Sequence, residues 1–166
     1  MGEQDALVRL AERARGVLQE RDLTLATAES CTGGLLGHLL TEIPGISLHY
    51  RGGLISYSDD LKRDELGVPA RTLAAHGAVS AQSCLAMADG ARRRYGADVA
   101  LAVTGIAGPD GGTPAKPVGL TFVGIADAGG RDVRRHVWPG DRHANKLDSA
   151  GAALELLLER LGAGPA

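Results

Sequence analysis

The chain has 166 residues, 44% of them hydrophobic and 3% aromatic, and a formal net charge of −2 at pH 7. That length and apolar content suit one globular domain over residues 1–166 and exclude a disordered segment. The near-neutral charge and the shortage of aromatic platforms argue against nucleic acid or a membrane surface as partner.

Residues 4–20 predict an amphipathic helix, with Leu7, Leu10, Ala14, Val17 and Leu18 on one face. Arg21-Asp22 turns the chain into a buried strand over residues 23–28. A run of small residues follows, Ala26-Thr27-Ala28-Glu29-Ser30-Cys31-Thr32-Gly33-Gly34, and leads into a helix from Leu35 to about Thr41 that Pro44-Gly45 stops. Residues 49–58 read as extended. Asp59-Asp60 opens a short helix that carries Lys62, runs to Leu66 and closes at Gly67. Residues 70–76 predict another short helix. Ser80 caps a long one over residues 81–95, with Arg92-Arg93-Arg94 on its solvated face.

Residues 97–104 form the clearest strand, apolar enough to be covered on both faces. It ends in a glycine-rich loop, Thr104-Gly105-Ile106-Ala107-Gly108-Pro109-Asp110-Gly111-Gly112. Residues 117–126 and 132–138 predict a hairpin turned at Ala128-Gly129-Gly130, and Gly140-Asp141-Arg142 caps a last helix to about residue 161. Helices that alternate with strands, followed by a late hairpin, imply an α/β fold: a three-layer α/β/α sandwich with a mixed β-sheet. Ligands in open α/β sheets sit beyond the carboxyl ends of strands, so the loops around Ser30 and Gly105 flank one crevice.

Two cysteines, Cys31 and Cys84, make neither a disulfide framework nor a metal cluster, and the five histidines show no metal spacing. No metal and no cofactor is expected. The N-terminus has no apolar signal core, and no apolar run reaches membrane-spanning length, so the expectation is a soluble, cytoplasmic protein.

The turn after the first strand has two readings. Backbone N–H groups at the positive end of a helix dipole favour a phosphate; equally, Ser or Thr there is a structural cap. Ser30 is the first candidate nucleophile, and a serine hydroxyl needs a base. No histidine lies in a recognisable motif. Lysine serves once burial lowers its pKa, and Lys62 lies near Tyr57 in sequence. Taken singly, Lys62 reads as a surface lysine and Tyr57 as core or rim packing. Cys31 competes as nucleophile, because a helix N-terminus lowers a thiol pKa, but without a histidine partner it reads as a small packing residue. Cys84 reads as core. Thr104 contacts a ligand or caps its own loop. Arg142 clamps an anion or sits on the surface. Lys116 lines the crevice mouth or keeps a loop soluble. Glu29 positions Ser30 or a substrate amide, or pairs with a cation.

Together, residues 27–34, Tyr57-Ser58 with Lys62, His76-Gly77-Ala78-Val79-Ser80, residues 104–112, Lys116-Pro117-Val118-Gly119 and Gly140-Asp141-Arg142 resemble the CinA carboxy-terminal domain family. The resemblance covers about residues 5–160. It implies the family's characterised activity, hydrolysis of nicotinamide mononucleotide to nicotinic acid mononucleotide and ammonia in pyridine nucleotide salvage. It implies Ser30, Tyr57 and Lys62 as the catalytic group, with Thr104 beside them. It implies Glu29, Cys31, Thr32, Gly33, Gly34, Gly105 and Arg142 as substrate-binding residues, with Thr32, Gly33, Gly34 and Arg142 suited to the phosphate. A homodimer is the default. Larger CinA proteins carry a further amino-terminal domain resembling molybdopterin-binding proteins; this chain is too short for it and reads as the stand-alone form.

The chain departs from the pattern at Asn145-Lys146, where relatives often have Val-Arg. Lys146 keeps the charge without the bidentate fork. The alternative reading is a non-catalytic nucleotide-binding or competence/damage-related regulatory module of the same fold. A third is a Cys31 thiol amidase.

Overall fold

The computed structural model describes residues 2–163. Helix α1 (Glu3–Arg21) leads to strand β1 (Leu25–Glu29) and helix α2 (Leu35–Thr41). A short 3-10 turn, Ile46–Leu48, precedes strand β2 (Tyr50–Ile55), which is followed by α3 (Asp59–Leu66), α4 (Ala70–His76) and α5 (Ala81–Tyr95). Strands β3 (Val99–Gly105), β4 (Leu120–Asp127) and β5 (Gly130–Val137) precede helix α6 (Arg142–Arg160).

The strands form one mixed sheet in the order β2-β1-β3-β4-β5. Strand β1 runs parallel to both β2 and β3, while β4 is antiparallel to β3 and β5. Helices α1, α2 and α6 cover one face, and α3, α4 and α5 the other, as the three-layer expectation requires.

The two faces differ in the size of their side chains. Leu25, Leu101, Val103, Val123 and Ile125 point to the α1/α6 layer. Ala26, Ala28, Ala100 and Ala102 point to α5, which meets them with Cys84, Ala88 and Ala91. Small residues on both partners let α5 lie close to the sheet: a Cβ on Gly124 of β4 would sit 2.9 Å from Cys84 Sγ. Close approach of α5 fixes the height of the layer that carries α3 and Lys62.

Two boundaries differ from the pattern-based expectation. Strand β1 starts at Leu25, because Asp22 adopts a left-handed conformation (φ 54°) and Leu23 N–H closes the end of α1 on Leu18 O at 2.9 Å. The extended stretch stops at Ile55, because Ser58 leaves the sheet to cap α3, its side chain accepting from Leu61 N–H at 3.2 Å. No helix among the described residues is long and apolar enough to cross a membrane.

Candidate active site

The carboxyl ends of β1 and β3 lie side by side, with Glu29 opposite Val103. The pairing continues one residue further, where Ser30 N–H donates to Val103 O at 2.9 Å. Ser30, the first residue past β1, and Thr104, still within β3, are therefore neighbours. On the other side of β1, Ser56 N–H donates to Glu29 O at 2.8 Å, which seats the start of the β2–α3 connection beside Ser30. The first turn of α3 follows at once and carries Lys62.

Lys62 is 1% exposed. Its Nζ lies 3.0 Å from Ser30 Oγ, 2.6 Å from Ser56 O and 3.3 Å from Tyr57 O. Burial pushes this amine below the ordinary lysine range; Asp59 and Cys31 oppose the shift. A neutral amine has two N–H bonds and one lone pair. In its charged form the amine offers three N–H donors, to Ser56 O, Tyr57 O and Ser30 Oγ; once it loses a proton, two donors stay on the carbonyls and the lone pair can accept from the Ser30 hydroxyl. The surface placement expected of a solitary helical lysine is thus corrected, because residues 56–58 fold Lys62 inward onto β1.

Around this pair the loops enclose a cleft of about 260 Å³. Of the expected residues, Ser30, Cys31, Tyr57, Lys62, Thr104, Gly105 and Arg142 line it; Glu29, Thr32, Gly33 and Gly34 do not. Tyr57 and Arg142 meet at the mouth, the guanidinium donating to Tyr57 OH at 3.4 Å and to Gly108 O at 2.8 Å. Arg142 is exposed and able to exchange these acceptors for an anion. Tyr57 is 63% exposed, at the rim and not in the core.

The phosphate seat expected at the start of α2 is taken by the protein itself. Glu29 is 3% exposed, and its carboxylate accepts from Leu36 N–H at 2.9 Å and from Gly37 N–H at 3.0 Å. Among the described residues its carboxylate pairs with no cation, and Glu29 is not part of the cleft lining. The donors of the first turn are occupied, and a second anion there would meet a buried carboxylate. Gly33 and Gly34 serve the turn geometry with positive φ (60° and 100°), and Thr32 is buried behind it. Of the residues expected to hold phosphate, Arg142 alone faces the cleft.

The loop around Gly105 forms one wall, as the sequence predicts, while Ala78 and Val79, in the other wall, were not among the expected site residues. Ala78 and Val79, the residues from Ile106 to Gly108, and Asp110 line the same cleft. Asn145, noted only as a departure, is 1% exposed and donates from Nδ2 to Ala107 O at 3.0 Å, which ties the 106–108 wall to α6. A usable signal was present: an uninterrupted run of small residues just before a Ser N-cap, at the point where a helix begins beside a strand end.

A family model, the CinA C-terminal domain, matches residues 7–161. This chain belongs to the CinA family. A CinA-like protein of Gemmatimonas aurantiaca is 52% identical over 137 residues, covering 82% of this chain and 32% of that protein. One from Chlorobaculum tepidum is 51% identical over 159 residues, covering 93% of this chain and 38% of that protein. The CinA domain described here thus spans about a third of the curated relatives it matches. Among solved structures, the competence/damage inducible protein CihA from Agrobacterium tumefaciens superposes with TM-score 0.88 at 42% identity, covering 98% of this chain and 97% of that one.

Cys31, the rival nucleophile in this CinA cleft, has its thiol pushed up to about 11, chiefly by burial. It is almost wholly protonated at neutral pH and a poor nucleophile. Among the described residues no three His, Cys, Asp or Glu side chains converge to hold a metal ion.

Proposed function

We propose that this cleft hydrolyses the carboxamide of nicotinamide mononucleotide, giving nicotinic acid mononucleotide and ammonia. The observation that carries the reading is the buried Lys62 amine 3.0 Å from Ser30 Oγ, held there by Ser56 O and Tyr57 O. Ser30 Oγ attacks the carboxamide carbon and its proton passes to Lys62 Nζ. The tetrahedral intermediate collapses, the C–N bond breaks, and the same proton leaves on ammonia. Water then attacks the acyl-enzyme, Lys62 taking one of its protons and returning it to Ser30 Oγ as the acid departs and releases its remaining proton to solvent. Lys62 is the base, and the Tyr57 hydroxyl stays at the mouth with Arg142. Arg142 takes the phosphate at the mouth of the cleft, with the ring and ribose between it and Ser30.

The test is ammonia release from nicotinamide mononucleotide by the wild-type protein and by Ser30→Ala. Release that vanishes in Ser30→Ala supports the reading. No release by wild type at any substrate level would leave a non-catalytic nucleotide-binding module.

Cys31→Ala is expected to keep the rate of the wild type to within a few-fold. Iodoacetamide at pH 7.5 is expected to inactivate slowly, because so little thiolate is present. Rapid inactivation together with a dead Cys31→Ala would hand the nucleophile's role to the thiol.

A further inference from the structure

Attack on a carboxamide puts negative charge on its oxygen, and an acyl-transfer site needs donors already aimed at that position. Near Ser30 several donors are already engaged. Glu29 holds the N–H groups of Leu36 and Gly37, and Gly33 N–H donates to Ser30 O at 3.1 Å. The wall formed by residues 76–79 is different.

Three consecutive carbonyls in this wall each accept from a side chain. Lys116 Nζ donates to His76 O at 2.5 Å. Ser80 Oγ and Ser83 Oγ donate to Gly77 O at 2.9 and 2.6 Å. Thr104 Oγ1 donates to Ala78 O at 3.0 Å. A trans peptide points its N–H opposite its C=O. Turning Gly77 O onto α5 and Ala78 O onto the end of β3 therefore turns the N–H groups of Ala78 and Val79 the other way. Both residues line the cleft, and neither N–H has an acceptor among the described residues. Thr104 is 1% exposed, and its single hydroxyl proton is committed to Ala78 O. It has none left to give a substrate.

We propose that the N–H groups of Ala78 and Val79 form the oxyanion site, and that Thr104 is the positioning residue that holds them; this rests on Ser30 acting as the nucleophile. Thr104→Val keeps the side-chain shape and removes the donor. Ala78 O is then unpaired and free to rotate, and its negative end can swing toward the developing oxyanion. Thr104→Ser keeps the donor.

The experiment is the rate at which an alkyl fluorophosphonate labels Ser30, followed by mass spectrometry from pH 6 to 10. In that step the Ser30 Oγ–P bond forms, the P–F bond breaks, fluoride leaves, and the serine proton passes to Lys62. The charge that develops on the phosphoryl oxygen needs the same donors as a carboxamide. Thr104→Val is expected to label roughly tenfold or more slowly than wild type. Thr104→Ser is expected to recover most of the wild-type rate, and the pH midpoint set by Lys62 is expected to stay put in all three. Should Thr104→Val not fold, Ser83→Ala removes one of the two donors on Gly77 O and is expected to slow labelling several-fold.

A Thr104→Val rate equal to wild type overturns the proposal. So does a Thr104→Ser rate as slow as that of Thr104→Val, which would make the effect one of packing. So does a moved pH midpoint, which would make Thr104 act on Lys62. Wild-type protein that labels nowhere at Ser30 removes the nucleophile and this proposal together, whereas a labelled wild type with an unaffected Thr104→Val removes this proposal alone.

Discussion

Replacing Lys62 with Met is expected to lower kcat/KM for nicotinamide mononucleotide by about 10³-fold, within the range that a positioned general base supplies. Met matches the length and apolar stem of lysine but has no lone pair for the Ser30 proton. Arginine separates proton transfer from charge. Its guanidinium keeps the charge and the donors but does not release a proton in a protein. Lys62→Arg is therefore expected to be as inactive as Lys62→Met, with thermal unfolding to confirm that both fold. An active Lys62→Arg would show that this position supplies charge and not a base. The Ser30→Ala, Lys62→Met double variant is expected to be no worse than the poorer single one, because two groups that act as a unit do not add.

The pH dependence follows with a definite sign. Burial lowers the Lys62 pKa from its ordinary value of 10.5. The rate is expected to rise with pH as the amine becomes neutral, on a limb centred below 10.5. Stability moves the same way. Between the lowered folded value and the ordinary lysine value, the unfolded chain holds more protons than the folded one, so stability increases as pH climbs through that window. The unfavourable contribution is complete below the folded value, where both states are charged. Asp59 is the largest influence holding the amine up, so Asp59→Asn is expected to shift the rate limb to still lower pH.

Much of the architecture was legible because it rests on local periodicity. Helix α5 starts at Ala81, just after the Ser80 cap, and ends at Tyr95, as the pattern predicts. The apolar run over β3 reads as a strand covered on both faces, and both faces are covered. The site was legible only in part, because its chemistry depends on contacts between distant segments. Nothing local distinguishes Lys62 from a solvated helical lysine; its burial comes from Ser56 and Tyr57 bending α3 back over the sheet. Glu29 follows the same rule. Its neighbours suggest a substrate contact, and its carboxylate instead closes the start of α2. Thr104 reads equally as a ligand contact or a cap of its own loop, yet its proton is turned onto a loop 26 residues earlier in the chain. Residue type announced chemistry at each of these positions, but the direction of each side chain was set by packing.

Gly90 shows how far that packing reaches, and it carries the second large expected effect. It lies inside α5, where alanine would ordinarily stabilise the helix by about 1 kcal/mol. Here an added Cβ would sit 1.9 Å from Leu66 O and 2.7 Å from Leu66 C. The obstacle is the backbone at the end of α3, so no rotamer change relieves it. Overpacking of this kind costs about 3 kcal/mol, which outweighs the gain in propensity and leaves Gly90→Ala about 2 kcal/mol less stable. For a domain of this size the unfolding midpoint is then expected to fall by about 4–8 °C. The control is Gly16→Ala in α1, where an added Cβ meets nothing within 4 Å and the same substitution is expected to raise the midpoint slightly. The folded Gly90→Ala protein has a second expected defect. Relief of the clash requires α3 to move away from α5, and Lys62 rides on α3. Its Nζ then leaves hydrogen-bond range of Ser30, so activity per folded molecule falls as well as stability. Activity measured well below the midpoint, where unfolding is negligible, separates the two effects. A stable Gly90→Ala protein with wild-type activity would mean that α3 and α5 do not hold the spacing on which the Ser30–Lys62 contact depends.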